Sequence, residues 1–194
     1  MERTDGADKH RRLADHLVHE AWYDMAEEEY RKAIEMNPMD AEAHNNLGVL
    51  LVNQGRYEEA EEEYREAIRI NPDLAEVHNN LGFLLVMQGR YGEAEREFRE
   101  AIRVKPDLAE AHFNLGVLLA DQGRYEEAEK EYREAIRIKP DYAEAHYNLG
   151  VLLAEQGKYK EAKAELEKAL KLFEREGRKE YAEKAREHMR GLPK

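Results

Sequence analysis

Apolar residues recur along this chain in paired runs at helical spacing, each pair separated by short polar breaks. Between positions 41 and 53, Ala43, Leu47, Leu50 and Leu51 fall on one helical face, and between 57 and 70, Tyr57, Ala60, Tyr64, Ala67 and Ile68 do the same. The opposite face of the second run is charged, with Glu61 and Arg65 in the favourable i, i+4 order. Asn53–Gln54–Gly55–Arg56 predicts a turn between the two helices, because glycine takes the positive φ that ends a helix at little cost. Asn71–Pro72–Asp73 predicts the end of the second helix, since a residue preceding proline resists the α region. Asp73 with Glu76, Asp107 with Glu110 and Asp141 with Glu144 have the spacing of a capping box at the start of the next helix.

This hairpin repeats with a period of 34 residues: Pro38, Pro72, Pro106 and Pro140 keep the register, as do Gly48, Gly82, Gly116 and Gly150, and Gly55, Gly89, Gly123 and Gly157. A strict period of this length predicts an all-α array of stacked hairpins, each too small to bury its own apolar faces. The units run 7–40, 41–74, 75–108, 109–142 and 143–176, with 1–6 as a polar leader and 177–194 as a cap helix and tail.

Leu47, Gly48, Ala60, Tyr64, Ala67 and Pro72 fall at the 7th, 8th, 20th, 24th, 27th and 32nd positions of their unit, and two further units match throughout, with Phe98 for the tyrosine. The pattern resembles the tetratricopeptide repeat (TPR) family. The resemblance implies a right-handed α-solenoid, or superhelix, of five hairpins plus a C-terminal capping helix. It further implies a scaffold that binds a peptide in a concave groove.

Both ends depart from the pattern. In 7–40, Ala14 and Ala21 replace the two glycines, Arg11, Arg12, Asp15, His16 and His19 suit a solvent-facing first helix, and Trp22 is placed to cover the exposed edge. In 143–176, Leu166 replaces the aromatic and Glu174 the proline, which predicts a helix running on to about Gly177. Tyr181, Ala182, Ala185 and Met189 then form the single apolar stripe of a solvating end helix.

The net charge of −12 argues against a nucleic-acid footprint. The chain has no cysteine, no serine and a single threonine, Thr4, so thiolate ligands, disulfides and hydroxyl nucleophiles have almost nothing to draw on. Met1–Lys9 lacks the apolar core of a secretory signal, and no apolar run is long enough to span a bilayer, which reads as a cytoplasmic protein. The composition offers no catalytic site, cofactor or metal site.

Three ladders tempt a chemical reading. His10, His44, His78, His112 and His146 share the fourth position, too far apart for one metal, and read as packing substitutes for an aromatic. Glu61–Glu62–Glu63 and their counterparts read as an outer face solvated among basic partners. Asn46, Asn80, Asn114 and Asn148 share the sixth position, where an amide can pair with a peptide backbone whatever its sequence. Such a ladder is similar to that of the superhelical TPR region of O-linked N-acetylglucosamine transferase. The family's groove positions then imply a peptide-binding surface of Asn45, Asn46, Val49, Asn53, Asn79, Asn80, Phe83, Met87, Phe113, Asn114, Val117, Asp121, Tyr147, Asn148 and Val151.

That surface, apolar with an acidic border, favours a neutral or basic peptide over the acidic chaperone tails that lysine-lined members of the family bind. Its differences cluster: of the positions at which units 41–74 and 109–142 differ, Asn45/Phe113, Val52/Ala120, Asn53/Asp121 and Leu74/Tyr142 all lie in the groove set. Self-assembly through the end helices into dimers or filaments is an alternative. So is an engineered, consensus-like array with no natural partner, since consensus repeats are unusually designable.

Overall fold

The computed structural model describes residues 2–193, with side chains from Asp5 to Pro193. Eleven helices follow one another among these residues: α1 (Glu2–His19), α2 (Tyr23–Met36), α3 (Ala41–Asn53), α4 (Tyr57–Ile70), α5 (Ala75–Met87), α6 (Tyr91–Val104), α7 (Ala109–Asp121), α8 (Tyr125–Ile138), α9 (Ala143–Glu155), α10 (Tyr159–Arg175) and α11 (Lys179–Gly191). Residues 2–6, expected as a leader, belong to α1.

The chain divides into two compact units at Val104/Lys105. The first holds the hairpins α1/α2, α3/α4 and α5/α6, each packed on its sequence neighbour. The second holds α7/α8 and α9/α10, with α11 packed on α10.

Within each hairpin the small residues of the repeat set the helix spacing. A Cβ added at Gly48 would lie 2.6 Å from Cε1 of Tyr64, and one at Gly82 2.7 Å from Cε1 of Phe98. The ring of the second helix therefore lies directly on the backbone of the first, with Ala60 and Ala67 fully buried beside Tyr64. Gly55, Gly89, Gly123, Gly157 and Gly177 all have φ near +75° at the helix–helix turns. The first hairpin makes the same turn with Ala21 at φ +62°.

The predicted helix starts shift by one residue. Leu74, Leu108 and Tyr142 are the N-caps of α5, α7 and α9, and none offers a capping side chain, so Asp73, Asp107 and Asp141 do not cap these helices. Asp40, which stands where those hydrophobic residues stand, does cap α3 by accepting from the Ala43 amide at 3.1 Å. The apolar caps exchange a hydrogen bond for burial: Leu108 is buried, and Tyr142 stacks on Phe113 with ring centroids 4.9 Å apart. Asn37 and Asn71 supply local order instead, accepting from the amides of Met39 and Asp73 two residues on.

Consecutive hairpins are latched by charge. Arg56 reaches Glu27 at 2.7 Å, Arg90 reaches Glu61 at 2.7 Å, and Lys158 reaches Glu129 at 2.8 Å. Trp22 occupies the equivalent position in the first hairpin and is 57% exposed, so it does not cover the edge as its position suggested. Arg11 is held among Asp8, Asp40 and Glu42. At the other end Phe173 is fully buried with Ala143, Ala169 and Ala182, which seats α11 on α10. Arg178 reinforces that junction, lying 4.8 Å over the Phe173 ring while its guanidinium donates to Glu144.

Candidate functional site

The histidine ladder is structural, by a route that differs from simple packing. His44 Nδ1 lies 2.6 Å from Glu63 Oε2 and its Nε2 3.2 Å from the Pro38 carbonyl, so the ring joins both helices of its hairpin to the preceding turn. His78 repeats the pair with Glu97 and Pro72, His112 with Glu131 and Pro106, and His146 with Glu165 and Pro140. A carbonyl only accepts, so Nε2 must carry a proton, and Nδ1 and the glutamate must hold one more between them. Burial opposes the imidazolium of His44, but the hydrogen bond and charge of Glu63, the Pro38 carbonyl and the nearby Glu66 outweigh it and raise its pKa. His78 and His112 are raised for the same reasons. Glu63, Glu97, Glu131 and Glu165 are therefore not members of a solvated acidic face; each is committed to a buried histidine.

The asparagine ladder is also partly spent within the array. Asn46 donates to Asp15 at 3.0 Å and accepts from Asn45 at 3.1 Å, while Asn80 donates to Asn45 at 3.0 Å. Asn148 bonds the Tyr132 hydroxyl of the preceding hairpin. An amide has two N–H groups and a carbonyl, so these residues keep capacity for a ligand.

In the first unit, Val49 (α3) and Phe83 and Met87 (α5) stand exposed beside half-buried Asn45, Asn46, Asn79 and Asn80, with Asn53 exposed at the end of α3. Phe83, 49% exposed, is a large apolar side chain on a first-helix face in which every neighbouring leucine is buried. In the second unit Phe113 is drawn partly inward against Tyr132 and Tyr142, and Asn114 is half-buried beside it on α7. Val117, Asp121, Tyr147, Asn148 and Val151 come together in one pocket of about 390 Å³.

The pocket also contains residues outside the expected groove positions. Tyr125 and Tyr132 come from α8, and His188 from α11, where no repeat register applies. Tyr132 reaches the pocket because Gly116 has no side chain in its way; a Cβ there would lie 2.8 Å from the ring. His188 lies edge-on to Tyr147, with centroids 5.4 Å apart and Nδ1 3.2 Å from the tyrosine hydroxyl. Burial, and after it the carboxylates of Asp121 and Glu155, push the Tyr132 hydroxyl well above its usual range against the opposing bond from Asn148, so it stays protonated. Such a surface can grip and orient a ligand through apolar contact, neutral hydrogen bonds and negative charge. Among the described residues no cluster of histidine and carboxylate has the geometry of a metal site, and no helix is long and apolar enough to cross a membrane.

Hairpins of this form, with a glycine–aromatic contact in the second, third and fourth, match the family model of the cilia and flagella-associated protein 70 C-terminal domain, a TPR model, over residues 7–188. The chain belongs to this TPR family. No curated protein sequence matches the chain. Solved structures with the same all-α solenoid fold include pilF of Pseudomonas aeruginosa, at 22% identity and a TM-score of 0.82, with 95% of this chain and 90% of that one covered. MamA is similar at 24% identity and a TM-score of 0.74, covering 86% of this chain and 97% of its own. YrrB, described as a TPR protein with an unusual peptide-binding site, is 26% identical with a TM-score of 0.66 and 84% coverage of both chains.

Proposed function

We propose that this TPR protein is a non-catalytic scaffold that binds a peptide segment, neutral or basic, on the exposed faces of its first helices. The observation that carries this reading is the exposure of Val49, Phe83 and Met87 on helices whose other apolar residues are buried. They are set beside Asn46 and Asn80, whose amides carry both donors and acceptors. Exposed apolar groups flanked by amides suit an extended peptide, whose backbone needs partners while its side chains seek apolar contact. YrrB, with its peptide-binding site on the same fold, is consistent with that use. The test is an array of immobilised random dodecapeptides probed with the full chain and with a Phe83→Glu/Val151→Glu variant. The wild type should retain a defined subset of peptides and the variant should lose it with unchanged helicity and melting temperature. Equal retention by both proteins would refute the assignment of the face.

A second reading, self-association, rests on the first hairpin. Trp22 and Met25 stand 57% and 53% exposed where the second hairpin carries Arg56 and Glu59. Light scattering of wild type and a Trp22→Ser/Met25→Glu variant decides it: a concentration-dependent mass present only in the wild type supports association, and identical monomeric masses refute it.

A further inference from the structure

The pocket of the second unit carries two carboxylates in places that local stability disfavours. Asp121 is the last residue of α7 and Glu155 the last residue of α9. A helix C-terminus is the negative end of the macrodipole, so an acid there is destabilising and a cation favourable. The equivalent positions in the first unit carry no acid: His19 ends α1, Asn53 ends α3 and Met87 ends α5. Among the described residues no cationic side chain pairs with Asp121 or Glu155, whereas Glu27, Glu61 and Glu129, on the outer helices, each hold two cations. The neighbouring position is also altered, Ala120 standing where the first unit has Val52 and Val86, and the missing methyl groups leave room beside the carboxylates.

Two acids at two negative helix ends thus line one concavity together with Tyr147, His188, Val117 and Val151. A charge that breaks a local rule without compensation marks a functional site more often than an idle one. Resting on the peptide-binding reading above, we infer that this pocket is a cation subsite: it takes a lysine or arginine side chain of the bound peptide. The charged head lies between Asp121 and Glu155, and the aliphatic stem lies along Val117, Val151 and the Tyr147 ring. A long basic side chain fits this division, since its stem is apolar and only its tip is charged.

Peptides selected on the array by the wild-type chain serve as the probe, each resynthesised with its basic residues changed one at a time to norleucine. Affinities are measured by fluorescence polarisation for the wild type, for Asp121→Asn/Glu155→Gln, and for Glu58→Gln/Glu62→Gln, which removes the same charge from the exposed face of α4. One basic position should dominate: its norleucine version and the Asp121→Asn/Glu155→Gln variant should each weaken binding about tenfold, as loss of a charged hydrogen bond does, and together no further. The α4 variant should bind as the wild type does. The pocket variant should also melt at a higher temperature, because two charges leave disfavoured helix ends. Selected peptides with no basic residue, or binding insensitive to both changes, would overturn the subsite while leaving peptide binding intact. An array that retains nothing would overturn both, and a lower melting temperature would show that the carboxylates are compensated and overturn the subsite.

Discussion

Three buried histidines, His44, His78 and His112, each face an acceptor with both ring nitrogens, and this makes single residues pH-sensitive. His44, His78 and His112 have pKa values raised above the ordinary 6.5. A raised pKa means that the folded state holds the proton more tightly than the unfolded chain, so the stabilisation is complete below about pH 6.5 and is lost as pH rises through the folded pKa. The groups that face them are Glu63 and Glu66, Glu97 and Glu100, and Glu131 and Glu134, together with the proline carbonyls. The urea midpoint should therefore fall between pH 6 and pH 9, and His44→Gln/His78→Gln/His112→Gln should flatten that fall. A midpoint that rises over the same range contradicts the assignment. A second residue-scale expectation concerns glycine: Gly82→Ala, which places a Cβ against Phe98, should cost about 1–3 kcal/mol. Gly92→Ala, with nothing near its Cβ, should stabilise α6 by about 0.5 kcal/mol. Chemical denaturation of both variants compares them directly.

The first helices of the second to fifth hairpins each end at a left-handed glycine, and the first hairpin is the exception. Ala21 occupies the left-handed region at φ +62°, which costs a non-glycine residue about 1–2 kcal/mol. Ala21→Gly should recover about 0.5–1 kcal/mol after the entropy of the extra unfolded-state freedom is subtracted, raising the melting temperature, whereas Gly55→Ala should lower it. At the other end, Phe173→Ala should cost about 3–5 kcal/mol by emptying the seat of α11, and amide hydrogen exchange should show residues 179–191 losing protection first. The helices and their turns were legible in the sequence because each depends on residues adjacent in the chain or at fixed spacing, whereas the packing of the Tyr64 ring on Gly48 emerges only from the structure. The caps were not, since Leu74 and Asp73 compete for one position and burial of leucine outweighs a carboxylate cap. The double anchoring of the histidines was also hidden, because the partner of His44 lies 19 residues on, on the facing helix. His188 in the pocket had no sequence signal, as α11 lies outside the repeat.

For the whole molecule, the regular residues of the repeat build the hairpins and the irregular ones distinguish their faces. The constant leucine and alanine positions, the helical glycines Gly48, Gly82, Gly116 and Gly150, and the aromatics Tyr64, Phe98 and Tyr132 are buried, and the positions at Val49, Phe83, Val117 and Val151 lie on the faces proposed to meet a peptide. With a net charge of −12, long-range attraction favours a basic partner and weakens with salt. Association with a basic peptide should accordingly slow as ionic strength rises, measured by stopped-flow polarisation, while the acidic tails bound by lysine-lined relatives should show no association. The most direct test is an NMR titration of the full, isotope-labelled chain with an array-selected peptide. Shifts should be confined to residues such as Val49, Phe83, Val117, Tyr147 and Val151, with Glu62 and Arg65 on the outer face of α4 unmoved. Shifts concentrated on the outer faces, or on Trp22 and Met25 alone, would contradict the peptide-binding faces proposed for this protein.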